Sequence, residues 1–135
     1  MILFKKAGAL SEWLDAQRKK GCRIGFAPTM GALHQGHISL IGQSIKDNPL
    51  TVSSIFVNPA QFNDPKDFEK YPITIEKDIA MLEAAGCNAL FLPSVAEMYP
   101  DGIKPSRHYD LGFLETSLEG EFRPGHFQGV CMVVD

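Results

Sequence analysis

Very little in this sequence of 135 residues points to the exported, membrane-bound or nucleic-acid-binding classes. There are 3 cysteines, Cys22, Cys87 and Cys131, odd in number and far apart, with no C-x-x-C pair. Neither a disulfide framework nor a zinc knuckle is indicated, and the three read as reduced small hydrophobes of a cytoplasmic protein, with a catalytic cysteine as the minor alternative. No apolar run approaches the roughly 20 residues that a membrane helix needs. The opening MILFKKAGALSEW lacks the order of basic, long apolar and small residues that makes a signal peptide. Basic runs are short, Arg18–Lys20 being the longest, and the net charge is −3, so no nucleic-acid footprint is expected. Scattered positive charge suits small anionic ligands better than polyanions.

What is present is an ordinary globular composition, 44% hydrophobic and 21% charged, in a length that fits one domain with a real core. LSEWLDAQRKKG, Leu10 to Gly21, has helical spacing at Leu10, Trp13 and Leu14, a start near Ala9 or Ser11, and Gly21 as a stop. Arg23 to Pro28 is a short apolar strand. His37 to Lys46 is a helix with Ile38, Ile41 and Ile45 on one face. Leu50 to Asn58 is a β-branched strand, Ile73 to Gly86 an amphipathic helix with Thr74 as N-cap, and Asn88 to Pro93 a third strand. Glu76, Lys77 and Asp78 read as the solvated face of that last helix. Short apolar strands alternating with helices predict a doubly wound α/β fold with a parallel sheet. Such sheets bind ligands beyond the carboxyl ends of their strands, here PTMG, NPAQF and PSVAEMYP. The pattern weakens after Tyr99, and VCMVV at the end reads by itself as a strand.

The informative stretch is FAPTMGALHQGHISLI, Phe26 to Ile41. It runs from a strand through a tight turn into a helix and places His34 and His37 at the helix opening. A helix N-terminus presents amide N–H groups and partial positive charge, which favour anions. Gly31 and Gly36 would let a ligand approach the backbone, and both imidazoles could donate to phosphate oxygens as charge develops. Two histidines at this spacing are also compatible with a metal or with purely structural roles, but no H-E-x-x-H pattern supplies a third ligand or a base.

H-x-G-H after the first strand of an α/β chain is similar to the signature of the nucleotidyltransferase superfamily. PTMGALHQGHISL, SIFVNPAQF, DFEKYPITIEKD, FLPSVAEMYP and LEGEFRPGHFQGV, in this order, resemble the pantothenate synthetase (pantoate–β-alanine ligase) family from about Arg23 to Val134. The resemblance implies a Rossmann-like nucleotidyltransferase fold. It implies ATP-dependent joining of pantoate and β-alanine through pantoyl adenylate, with ATP as substrate, Mg2+, and a homodimer. It further implies that Pro28, Thr29, Met30, Gly31, Ala32, Leu33, His34, Gln35, Gly36 and His37 line the ATP site, with His37 and His34 catalytic. Asn58, Gln61, Phe62 and Tyr71, with Thr29 and Met30, would meet pantoate or β-alanine, and Arg123, His126 and Gln128 would form a gate. Members are usually about twice as long, continue the segment after HFxGV as a helix, and carry further phosphate, magnesium and pantoate ligands and a small lid domain. Residues 1–135 are therefore expected to be the N-terminal nucleotide- and pantoate-binding domain alone, a half-site with little turnover. Ile73 stands where the family often has a basic residue. The competing readings are an H-x-G-H adenylyltransferase with another acceptor, and a nucleotide-binding or dimerisation module without catalysis.

Overall fold

The computed structural model describes residues 1–59 and 73–102. They fall in two units, one comprising residues 1–56 and 73–97 and the other residues 57–59 and 98–102. The first contains the sheet. Its strands are β1 (Ile2–Phe4), β2 (Ile24–Thr29), β3 (Leu50–Ile55) and β4 (Ala89–Phe91), and its helices are α1 (Ala7–Lys19), α2 (Gln35–Asp47) and α3 (Ile75–Ala85), followed by the short α4 (Val95–Met98).

All four strands are parallel in the order β1-β4-β3-β2. The chain crosses from one edge of the sheet to the other between β1 and β2, then returns neighbour by neighbour through β3 to β4. Parallel crossovers are right-handed, so reversing the direction of travel moves the connecting helix to the opposite face. That puts α1 on one face and α2 with α3 on the other, and α2 packs against α3, β2 and β3. The doubly wound α/β expectation is met.

The core follows from the apolar spacing. Ala27, Leu33, Ile41, Ile55, Leu82, Cys87 and Leu90 form one buried cluster beneath α2 and α3. On the central strand β3 even the polar residues are buried: Ser53 Oγ donates to the Ala27 carbonyl (2.9 Å), and Thr51 shares a hydroxyl hydrogen bond with Ser44 of α2 (2.8 Å). No buried side-chain polar atom among the described residues lacks a partner, as a stable interior requires.

The strand β1 is an element the sequence reading missed. It has three residues, two of them exposed, and no alternation to reveal it, yet it pairs with β4 in register Ile2–Ala89 to Phe4–Phe91. Helix α1 starts at Ala7, earlier than either proposed start, and Lys6 makes no side-chain cap. Its first amide donates instead to Glu97 Oε1 at 2.7 Å, a partner 90 residues away that no local pattern shows. Helix α2 likewise opens at Gln35, two residues before the expected His37. Thr74 precedes α3 but makes no cap bond, while Gly86 ends the helix in the left-handed conformation as expected (φ 93°). Strand β3 ends at Ile55, short of the expected Asn58, and PSVAEMYP contains α4. Cys22 and Cys87 are free thiols. Burial pushes the Cys87 pKa up, against the pull of backbone hydrogen bonds. Cys131 and the VCMVV segment lie outside the described residues.

Candidate active site

The turn after β2 is built to present α2. Thr29 ends the strand, and its hydroxyl donates to the Ser54 carbonyl (2.8 Å) and accepts the Gly31 amide (3.2 Å). Gly31 and Ala32 then both take positive φ, 81° and 51°. An alanine there is strained by its Cβ, so something must hold it. That group is Asp78 of α3. One of its carboxylate oxygens accepts the Ala32 amide and the other the Leu33 amide, each at 2.9 Å, and the Thr74 hydroxyl donates to it at 3.1 Å.

His34 is the N-cap of α2, and both imidazoles cap amides of its first turn. The Gly36 amide donates to His34 Nδ1 (3.0 Å), and the His34 amide donates to His37 Nδ1 (3.1 Å). The ring centroids are 4.1 Å apart and tilted by 42°. A nitrogen that accepts an amide hydrogen bond cannot carry the proton of a neutral imidazole, so this arrangement assigns both protons to Nε2. The two Nε2–H groups have no partner among the described residues. Burial, and then the neighbouring His34, lower the His37 pKa, partly opposed by Asp78. Burial and His34 thus favour the neutral ring of His37.

The glycines of the motif serve the turn itself. A Cβ on Gly36 would lie 2.8 Å from the His34 ring, and one on Gly31 would meet Ile55 at 3.0 Å and Asp78 at 3.1 Å. Both positions are thus confined to glycine by neighbouring side chains. The Leu33 side chain, expected to line the ATP site, lies in the apolar core (7% exposed). The amides of Gly31, Ala32, Leu33, His34 and Gly36 are all engaged internally. What the turn offers outward is the imidazole pair with exposed Gln35, at the positive end of a helix of 13 residues.

Among the other expected contacts, Pro28 is exposed on β2, and Thr29 and Met30 are half-buried beside it. In the second unit, Asn58 is fully buried and accepts a hydrogen bond from the Tyr99 hydroxyl at 2.8 Å. Burial raises the Tyr99 pKa, and the bond to Asn58 lowers it. Tyr99 was not singled out from the sequence. Gln61, Phe62, Tyr71, Arg123, His126 and Gln128 lie outside the described residues.

Asp78 is the larger omission. Read as solvated with Glu76 and Lys77, it is instead 1% exposed, while the other two are exposed as expected. The signal was its position four residues, about one turn, before the buried Leu82. That spacing puts it on the inward stripe, where a carboxylate needs donors.

The sequence model for the pantoate-beta-alanine ligase family matches residues 2–135. The chain belongs to the pantoate-beta-alanine ligase family. A pantothenate synthetase of Cytophaga hutchinsonii is 54% identical over 134 residues, covering 99% of this chain and 47% of the relative. One from Porphyromonas gingivalis strain W83 is 48% identical over the same share of each. Among solved structures, the Francisella tularensis pantoate-beta-alanine ligase, crystallised with beta-gamma ATP and beta-alanine, superposes with a TM-score of 0.87 at 41% identity. That match covers 99% of this chain and 51% of that one. The pantothenate synthetase of Thermus thermophilus superposes at 0.81 and 41% identity, over 99% and 46%. The family's nucleotidyltransferase-type fold is therefore this chain's fold, and the chain spans about half the length of the curated relatives it matches.

Proposed function

We propose that this ligase-family chain carries the nucleotide half of an enzyme that joins pantoate to β-alanine through a pantoyl adenylate, releasing AMP and pyrophosphate. The observation that supports it most is the pair of locked imidazoles at the start of α2, both with Nε2–H free to face a triphosphate. In the first step a pantoate carboxylate oxygen attacks the α-phosphorus of ATP. The bond from that phosphorus to the bridging oxygen breaks, and its electron pair leaves with pyrophosphate. His34 and His37 donate hydrogen bonds to phosphate oxygens as negative charge builds on the leaving group. Preorganised donors of this kind contribute about 3 kcal/mol each. The lowered pKa of His37 argues against its acting as a proton donor to pyrophosphate. In the second step the neutral amine of β-alanine attacks the acyl carbon, the bond to AMP breaks, and the nitrogen releases a proton.

In this reading Pro28, Thr29, Met30, Gln35 and the two histidines border ATP, whereas Gly31, Ala32, Leu33 and Gly36 shape the turn from behind. Asn58, Gln61, Phe62 and Tyr71 form the pantoate and β-alanine side, and Arg123 and His126 a gate. The beta-gamma ATP and beta-alanine named in the Francisella tularensis complex support the choice of ligands. Magnesium is expected to accompany the triphosphate. Among the described residues no group of three or more His, Cys, Asp or Glu side chains could hold it, so its ligands would be phosphate oxygens and residues elsewhere. The same reading places the protein in the cytoplasm as a homodimer. No helix among the described residues is long and apolar enough to cross a membrane. The 135 residues alone are expected to turn over little, since relatives devote about twice this length to the task.

Pantoate labelled with 18O in its carboxylate tests the adenylate route. Attack on the α-phosphorus followed by cleavage on the acyl side leaves one 18O in AMP. Unlabelled AMP from a reaction that does form pantothenate would overturn the proposed route.

A further inference from the structure

Helix α3 reaches the turn after β2 through the buried carboxylate of Asp78. Asp78 is fixed on both sides, by the hydroxyl of Thr74, the residue just before its own helix, and by two consecutive amides of the turn after β2. Those amides belong to Ala32 and Leu33, directly before His34. The conformation they hold is one the turn would not keep unaided, because Ala32 carries a Cβ at φ 51°. His34 in turn supplies the amide that sets His37 Nδ1, so whatever fixes residues 32 and 33 fixes the first link of the imidazole lock.

We infer that Asp78 is a positioning residue for the phosphate-facing histidines: by clamping the Ala32 and Leu33 amides it sets the N-cap of α2 and keeps both Nε2–H groups aimed outward. This deepens the proposed ATP-binding reading and rests on it. Asp78 touches no substrate, and its effect passes through the backbone of residues 32–34. A carboxylate suits the task because it is acceptor-only, and it faces three donors, the two amides and the Thr74 hydroxyl. An asparagine of the same shape would turn its NH2 toward one of those amides, donor against donor.

The test uses the longest product of the chain's reading frame, with 15N-labelled histidine, ATP as the probe, and Asp78→Asn compared with wild type. The expected result is a folded variant whose ATP affinity falls roughly tenfold or more, the scale of one lost charge-assisted hydrogen bond. The single Nε2–H tautomer of His37 should give way to a mixture in the nitrogen spectrum. Adding Ala32→Gly to Asp78→Asn should recover part of the affinity, because glycine takes positive φ without the Cβ penalty. A role confined to gluing α3 onto the sheet would not show this rescue. If Asp78→Asn fails to fold, Thr74→Val removes one bond to the carboxylate and should shift affinity and tautomer in the same direction by about two- to threefold. A variant that melts at lower temperature but keeps wild-type ATP affinity and the single His37 tautomer would overturn the inference. Wild-type protein that shows the locked tautomers yet binds no ATP would sink the ATP reading. The positioning claim would then be decided by the tautomer of the variant alone.

Discussion

His34 and His37 show how a residue type is given a task by its neighbours. Each ring accepts a backbone amide through Nδ1, so each neutral ring can only donate through Nε2. Protonating Nδ1 breaks a cap, and burial further disfavours the charged form of His37. Its folded pKa therefore lies below its unfolded one. The stability it contributes is present above the unfolded value and is lost as pH falls through the folded value. An NMR titration should place the His37 midpoint below that of a histidine in a short unstructured peptide, and a higher midpoint would contradict the capping account. Asp78→Ala should cost about 2–4 kcal/mol in urea unfolding, because it strands the Ala32 and Leu33 amides away from water. A loss under about 1 kcal/mol would mean that water replaces the carboxylate. The histidines were legible in the sequence because H-x-G-H is a local pattern. Their capping bonds were not, since these depend on φ and ψ that only the turn sets. Asp78 was hidden because a charged residue among Glu76 and Lys77 looks solvated until its helix is placed.

At the scale of elements, α2 is the piece that carries the site, and close packing fixes its position. A Cβ on Gly25 would collide with the Ser44 hydroxyl and lie 2.7 Å from the Asn48 amide nitrogen, so α2 sits against bare β2 backbone. Gly25→Ala should destabilise the fold by about 1–3 kcal/mol, the cost of overpacking, as read from the denaturant midpoint. An unchanged midpoint would show that α2 can shift freely. Leu82 of α3 is fully buried in the common core. Leu82→Ala should cost about 2–5 kcal/mol and loosen Asp78 with it. Helices α2 and α3 and strands β2, β3 and β4 were readable because their apolar residues recur with a clear period. β1 and the true start of α1 were not. β1 is too short for a period, and α1 is stabilised by Glu97, whose approach is a property of the tertiary fold.

For the whole molecule, strand order and helix placement bring the carboxyl end of β2 and the start of α2 to one edge of the sheet, with α3 behind them. The α/β class could be read from the alternation of elements alone. Strand order could not, because nothing local says that β1 pairs with β4 at the far edge. The chain belongs to the pantoate-beta-alanine ligase family and spans about half the length of the curated relatives it matches. The most direct test is pantoate-dependent exchange of labelled pyrophosphate into ATP, without β-alanine, by the longest product of the reading frame and by its His37→Ala variant. The account predicts exchange that requires pantoate and falls by about 100- to 1,000-fold in the variant. Exchange that persists undiminished without the His37 imidazole, or that does not need pantoate, would contradict it.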